Sequence, residues 1–337
     1  MNPAPALSDI QQAAKRLAGK TVLTPLLEAP LLNDVLGGRL LVKAECLQRT
    51  GSFKARGAFN ALLQLPQECK NRGVVAFSSG NHAQGVAYAA RSLGVPATIV
   101  MPRDAPPLKI ANTKAYGASV VLYDRETESR EKIGADLANK HGLTLIRPFD
   151  DPHVIAGQGT VGLEIAQQCK EIGAVPEHVL VPCSGGGLAS GIAIAIHASF
   201  PGTQIHVVEP EGFDDAVRSL ASGRRETNTK KSGSICDALM ADAVGDITLP
   251  ILRKERVTGL AVSDEESLKA MGVAARYLKI MLEPGGAVAL AAALFGKLAV
   301  KNRTVVVVAS GGNGAPFLQA EAISRFSELK LNRGEVS

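Results

Sequence analysis

Lys54 lies within Q-R-T-G-S-F-K-A-R-G-A (Gln48 to Ala58), beside Phe53, Ala55, Gly57 and Ala58. A lysine in such apolar company loses stabilisation of its charge. Its pKa falls, and its amine becomes available as a nucleophile or base. Four other stretches could serve chemistry. Ser78-Ser79-Gly80-Asn81-His82 falls between a strand pattern and a helix pattern, where backbone N–H groups favour a carboxylate. Ser184-Gly185-Gly186-Gly187-Leu188 follows the apolar run Val179-Leu180-Val181, and successive glycines let N–H groups close around phosphate oxygens. Ala309-Ser310-Gly311-Gly312-Asn313 follows a third strand pattern, Val305 to Val308. Glu209-Pro210-Glu211-Gly212-Phe213-Asp214-Asp215 offers carboxylates for a hard cation. Singly, each has a plainer account: a solvated lysine, capped or tight turns, a charged loop.

The glycine stretch also mimics a dinucleotide site. Gly185, Gly187 and Gly191 approximate G-x-G-x-x-x-G, and Glu209 ends the next strand about 20 residues on, as a ribose-binding acid would. A nicotinamide enzyme is therefore a rival, but it leaves Lys54 and S-S-G-N-H unused.

Alternating elements must position these stretches. Ser8–Leu17 reads as a helix capped by Ser8, and Leu31–Leu36 as a short helix ended by Gly37-Gly38. Thr50, Gly51 and Ser52 are turn or cap types, so Lys54 falls in the first turn of a helix through Leu65. Strands are expected at 40–42, 74–77, 97–101, 119–123 and 143–146, with helices at 81–93, 107–116 and 126–141 between them. After Asp150-Asp151-Pro152 the series resumes with helix 158–172, strand 178–182, helix 187–199 and strand 204–209. Helices 264–281 and 285–298 and strand 304–309 complete it, while 222–248 reads as a surface excursion. Such repetition implies parallel α/β sheets with ligands at the carboxyl ends of the strands.

Composition excludes several classes. A chain of 337 residues, 46% hydrophobic and 20% charged, is long enough to bury a large core and reads as soluble. The net charge of +5 is scattered. Its nearest approach to a patch, Arg224, Arg225, Lys230 and Lys231, has no interleaved aromatics and reads as a solvated loop, arguing against nucleic acid. The five cysteines include no C-x-x-C pair, which fits reduced thiols. No signal peptide is apparent, and the longest apolar run, 287–295, is too short to span a bilayer. A cytoplasmic location is expected.

Together the S-F-K stretch and the other four resemble the pyridoxal-phosphate enzymes of fold type II, the tryptophan synthase β-like family. Within it they resemble the serine/threonine dehydratase group that includes serine racemase, in the expected order from about residue 20 to about 315. The resemblance implies two open, twisted, mostly parallel α/β sheets. A small domain, 73–148, would be inserted in a large one formed by 1–72 and 149–337. It implies that Lys54 forms the Schiff base, Phe53 packs beside the ring, and Ser184, Gly185, Gly186, Gly187 and Leu188 cradle the phosphate. Many relatives have glycine where Ser184 stands. Asn81 would meet the cofactor's 3-hydroxyl and Ser310 its pyridine nitrogen, while Ser78, Ser79, Gly80, Asn81 and His82 grip the substrate carboxylate. A neutral serine at 310 weakens the electron sink and favours prompt loss of a β-substituent. Glu209, the Phe213 carbonyl and Asp215 match the family's divalent-cation site, for Mg²⁺ or alternatively Ca²⁺ or Mn²⁺.

The reaction so implied removes the α-proton with Lys54, expels the β-hydroxyl and yields a 2-oxo acid and ammonia. L-Threonine/L-serine comes first as substrate and 3-hydroxyaspartate second, the latter needing a cation near the β-substituent. His82 and Arg130 are candidates, although the charged neighbours of Arg130 suggest an exposed site. Ser79 keeps serine racemisation open as a third activity, since racemases use a serine at this position on the opposite substrate face. A silent cofactor-binding protein is the remaining alternative, which intact Lys54, Ser79 and Ser310 oppose. The resemblance further implies a homodimer. With about twenty residues after S-G-G-N, no regulatory domain is expected.

Overall fold

Valine- and leucine-rich runs bounded by turn residues form ten strands among the described residues, and those at the centres of the sheets are buried on both faces, as parallel sheets require. The computed structural model describes residues 3–326. The strands are β1 (Leu26–Glu28), β2 (Arg39–Lys43), β3 (Val74–Phe77), β4 (Ala97–Pro102) and β5 (Ser119–Tyr123), then β6 (Thr144–Leu145), β7 (His178–Pro182), β8 (Gln204–Pro210), β9 (Thr258–Val262) and β10 (Thr304–Val308). One sheet has the order β1-β2-β10-β7-β8-β9 and the other β5-β4-β3-β6. Among the described residues, every pairing between these strands is parallel except β1 with β2.

The order explains how distant motifs meet. β10 lies between β2 and β7, with Val307 opposite Val42 and Val306 opposite Val179. The chain leaving β2 leads to Lys54, that leaving β7 to Ser184, and that leaving β10 to Ser310. In the second sheet, β3 leads directly to Ser78. All four motifs thus follow the carboxyl ends of parallel strands, where loops are free of ladder bonds.

Several expected boundaries are corrected. The first helix is Leu7–Leu17, with Ala6 rather than Ser8 at its N-cap, because Asp9 accepts the Ala6 N–H at 2.8 Å. The helix expected at 158 begins at Pro152. Asp151 accepts from the N–H groups of His153 and Val154, and Pro152 occupies the first turn. The helix expected at 126 begins at Arg130, because Asp124 and Glu128 tie residues 124–128 into a turn and Ser129 caps the helix. The helix expected over 264–281 ends at Val273 and passes through a π-turn, Ala274–Leu278, to Lys279 at φ 59°. That break frees Glu283 to stand outside any helix.

Segment 222–248 is a surface excursion over 222–235, as expected, but 236–248 is anchored in the core. Cys236 and Val244 are fully buried, and Leu239 is nearly so. Its Gly, Ser, Thr and charged composition masks these few anchors. Among the described residues no helix is long and apolar enough to cross a membrane.

Candidate active site

Lys54 opens the helix Lys54–Leu63, entered from a 3₁₀ turn in which Thr50 adopts φ 63°. The expected cap position belongs to Phe53 instead of Thr50–Ser52. This turn is fixed from below. Buried Arg56 donates from Nε and Nη2 to Glu45, both at 2.8 Å, and from Nη1 to Glu164 at 2.6 Å. Removing one partner from such a buried pair costs about 3–5 kcal/mol. Lys54 Nζ donates to the Pro148 carbonyl at 2.8 Å and stands 5.1 Å from the Phe53 ring centroid. Burial alone draws its pKa from 10.5 down to about 8.

The Ser78–His82 loop is tethered by Ser78 N–H to the Val100 carbonyl at 3.1 Å. Gly80 N–H donates to Ser78 Oγ at 3.1 Å, and the helix Asn81–Leu93 starts there. Asn81 Nδ2 donates to Glu283 in a short bond, and Asn81 Oδ1 accepts from Asn313 Nδ2 at 2.8 Å. His82 Nε2 meets the Ile146 carbonyl at 3.0 Å. Burial, with the Lys54 charge second, takes the His82 pKa to about 3. The ring is neutral at physiological pH, so it carries no charge for a second carboxylate.

The glycine loop permits close approach. A Cβ at Gly185 would stand 2.2 Å from the Phe149 ring, and Gly186 has φ 86° at the start of the helix Gly187–His197. Ser184 Oγ accepts from Ala241 N–H at 3.3 Å, and Gly185 O accepts from Thr248 Oγ1 at 2.7 Å. The 236–248 segment thereby forms one wall. Antiparallel bridging of Ser52 with Gly311 brings Ser310 against the Lys54 turn, where Phe53 N–H donates to the Ser310 carbonyl at 3.2 Å.

A cavity of about 330 Å³ joins these pieces. Phe53, Lys54, Ser78 to His82, Arg130, Ser184 to Leu188 and Ser310 all line it. Arg130 is not the freely exposed residue its sequence neighbours suggest. Its guanidinium lies 5.5 Å from the Phe77 ring centroid at the end of β3, with Nε donating to Glu131 at 2.7 Å. Its Nη atoms bond no described residue.

Arg125, Glu131, Arg147, Asp150, Arg225 and Asp246 also line the cavity, and three further charged lining residues unflagged by the sequence form one linked group. Lys109 Nζ contacts Asp237 at 2.7 Å and Glu283 at 3.5 Å. Burial opposes its charge, but the two carboxylates outweigh that and raise its pKa. Glu283 is buried, and burial raises its own pKa despite Lys109. Pro106-Pro107 before Lys109 and Pro284-Gly285-Gly286 after Glu283 mark only helix starts, so neither residue is flagged locally.

Glu209, Phe213 and Asp215 do not line this cavity. Glu209 is fully buried at the end of β8, too enclosed to bind a ribose, which removes the main support for a nicotinamide site. One oxygen of Glu209 accepts from Val217 N–H at 2.9 Å, and one of Asp215 accepts from Asn228 at 2.6 Å. Glu209 Oε1 and Asp215 Oδ2 are buried without partners. Burial, then mutual repulsion, pushes Glu209 well above the carboxylate range, and burial takes Asp215 to about 6. Among the described residues no cluster of three or more His, Cys, Asp or Glu side chains forms a metal centre.

The model of the family described as "Pyridoxal-phosphate dependent enzyme" matches residues 19–311. The chain belongs to that family. It is an enzyme whose relatives include ammonia-lyases and racemases. It is 43% identical to an L-threo-3-hydroxyaspartate ammonia-lyase of Saccharomyces cerevisiae over 92% of this chain and 93% of that protein. The crystal structure of a T.th. threonine deaminase matches with TM-score 0.86 and 47% identity, covering 92% of this chain and 99% of that one. Maize serine racemase matches with TM-score 0.88 and 36% identity, covering 95% and 97%. The expected fold type is therefore borne out, as is the group of relatives.

The residues present fit pyridoxal phosphate. A glycine cradle at a helix N-terminus suits its phosphate. A desolvated amine in the same cavity suits its carbonyl carbon.

Proposed function

We propose that this chain is a pyridoxal-phosphate-dependent ammonia-lyase that eliminates water from a β-hydroxy amino acid, with L-threo-3-hydroxyaspartate preferred over L-threonine and L-serine. The products are oxaloacetate and ammonia. This reverses the substrate order that the sequence suggests. Arg130 carries the change: its stacking on Phe77 puts a guanidinium in the cavity, beside the strand that delivers the Ser78–His82 loop. His82, the other candidate, is neutral and tied to Ile146. A dicarboxylate then finds the N–H groups of the 78–82 loop for one end and Arg130 for the other.

Bound here, pyridoxal phosphate supplies an electron sink for the substrate's α-carbon. Ser184 to Leu188 would hold its phosphate, Asn81 its 3-hydroxyl and Ser310 its pyridine nitrogen, with Phe53 beside the ring. Lys54 would be the residue that attaches the cofactor, and its amine is the base that takes the α-proton, a role its lowered pKa suits. Asn81 is held for its contact by Glu283 and Asn313, leaving one Nδ2 hydrogen to donate. Ser79 Oγ bonds no described residue and lines the cavity, which favours racemisation as a second activity on the opposite face. The small domain, 73–148, closes on the rest.

Assay of ammonia and 2-oxo acid from each candidate, with D-serine formation followed in parallel, tests this. Fastest 2-oxo acid release from 3-hydroxyaspartate supports it; D-serine as the main product would assign a racemase.

We also place a divalent cation, Mg²⁺ first, at Glu209, the Phe213 carbonyl and Asp215. The two unpartnered buried oxygens support it. Saturating Mg²⁺ should raise the melting temperature, with a stabilisation of about 2.7 kcal/mol at about 100 times Kd. The shift should vanish in Glu209→Gln and be reversed by EDTA. A melting curve indifferent to both Mg²⁺ and EDTA would remove the cation. A homodimer is the assembly we propose, supported by exposed Leu47, Met281 and Phe317 on segments that meet near Gly312 and Gly314.

A further inference from the structure

Of the ion pairs among the described residues, only those of Lys109 join the segment 73–148 to the rest of the chain. Lys109 stands on the helix Pro107–Ala115, which packs with the four-stranded sheet. Asp237 and Glu283 stand on the opposite wall of the cavity, next to the segment that meets Ser184 and the chain that meets Gly311. The Lys109 side chain also underlies the carboxylate loop. A Cβ on Gly80 would lie 2.9 Å from its Cδ and 3.2 Å from its Nζ. Glu283, its second partner, holds Asn81. One ammonium therefore touches both walls and the loop between them.

We propose that Lys109 is a positioning residue that latches the 73–148 segment to the Asp237 and Glu283 walls and so holds the cavity in its closed, substrate-binding form. The inference rests on the cofactor and substrate reading above for where substrate binds, but not for the latch itself. In the closed form the ammonium is clamped by carboxylates from the opposite wall. Opening requires Asp237 to be given up to water, which its partial exposure allows. A ligand that binds only the closed form is weakened by the fraction of enzyme left open. Loss of the latch therefore raises KM more than it lowers kcat, whereas a residue that merely supports folding lowers both stability and kcat.

Hydrogen–deuterium exchange of the cofactor-loaded enzyme tests this without any substrate. In Lys109→Met, exchange over 107–115 and 236–246 should quicken by about tenfold, the size of coupling expected for contacting residues, with the remainder unchanged. Asp237→Asn, altering a partly exposed side chain, should do the same if Lys109→Met proves unstable. The double variant should be no worse than either single one, and Lys109→Arg should restore most protection. With the best substrate, KM should rise about tenfold while kcat changes less than about threefold. Unchanged exchange in both single variants, or quickening across the whole chain with a matching fall in melting temperature, would overturn the latch. Absence of turnover on every amino acid tried would overturn the substrate reading and leave the exchange result standing.

Discussion

Lys54→Ala is expected to lose at least about 10³-fold in turnover, the scale of a missing acid–base group, while its melting temperature changes little. Among the described residues the Lys54 amine enters no ion pair and contacts the Pro148 carbonyl and the Phe53 ring, so little stability depends on it. The variant should bind pyridoxal phosphate reversibly and lose the absorbance of the lysine-bound cofactor. Reduction by borohydride should then fail to fix the cofactor to the chain. The wild-type apoenzyme supplies a companion result. Burial lowers the Lys54 pKa from 10.5 to about 8, so the neutral amine is about one-tenth of the total one pH unit below that value. The rate of cofactor attachment should climb about tenfold per pH unit below 8 and level above it. A rate still climbing through pH 10 would mean that Lys54 is solvated and would contradict the site described here.

Arg130→Met should reduce kcat/KM for L-threo-3-hydroxyaspartate by about 100-fold, in line with the 2–5 kcal/mol lost when one partner of a desolvated charge pair is removed. The same variant should alter L-serine turnover by less than about threefold, because L-serine presents no second carboxylate. Arg130→Lys should fall between, keeping the charge but losing the planar fork that pairs with a carboxylate through two bonds. Its stacking on Phe77 and its bond to Glu131 are surface-like contacts of modest worth, so the fold should survive. An equal loss on both substrates would show that Arg130 shapes the cavity instead of reading the substrate.

Much of the site is legible in the sequence because each motif follows a strand and carries its own turn chemistry. Lys54, Ser184 to Leu188 and Ser310 need only the parallel order of β2, β10 and β7 to converge, and Ser78 to His82 reach the same cavity from β3 of the second sheet. The residues that escape depend on contacts distant in sequence. Glu283 and Lys109 lie 174 positions apart and make sense only as a pair across the cavity. Asp237 sits inside a stretch whose composition looks solvated. A helix starting at 126 puts Arg130 on an exposed face. Asp124, Glu128 and Ser129 move that start and with it the direction of the first turn. The start at Pro152 is signalled by Asp151-Pro152, a capping residue followed by a first-turn proline, but the pair also reads as a linker.

The proposed preference for a dicarboxylate substrate is tested most directly by one ratio. Initial rates of 2-oxo acid and ammonia release from L-threo-3-hydroxyaspartate and from L-threonine, measured with the same Mg²⁺-supplemented holoenzyme, give kcat/KM for each. The site described here predicts equimolar oxaloacetate and ammonia and a ratio of at least about 10 in favour of the dicarboxylate, the tenfold that about 1.4 kcal/mol supplies. A ratio below one, or oxo acid without ammonia, would contradict it.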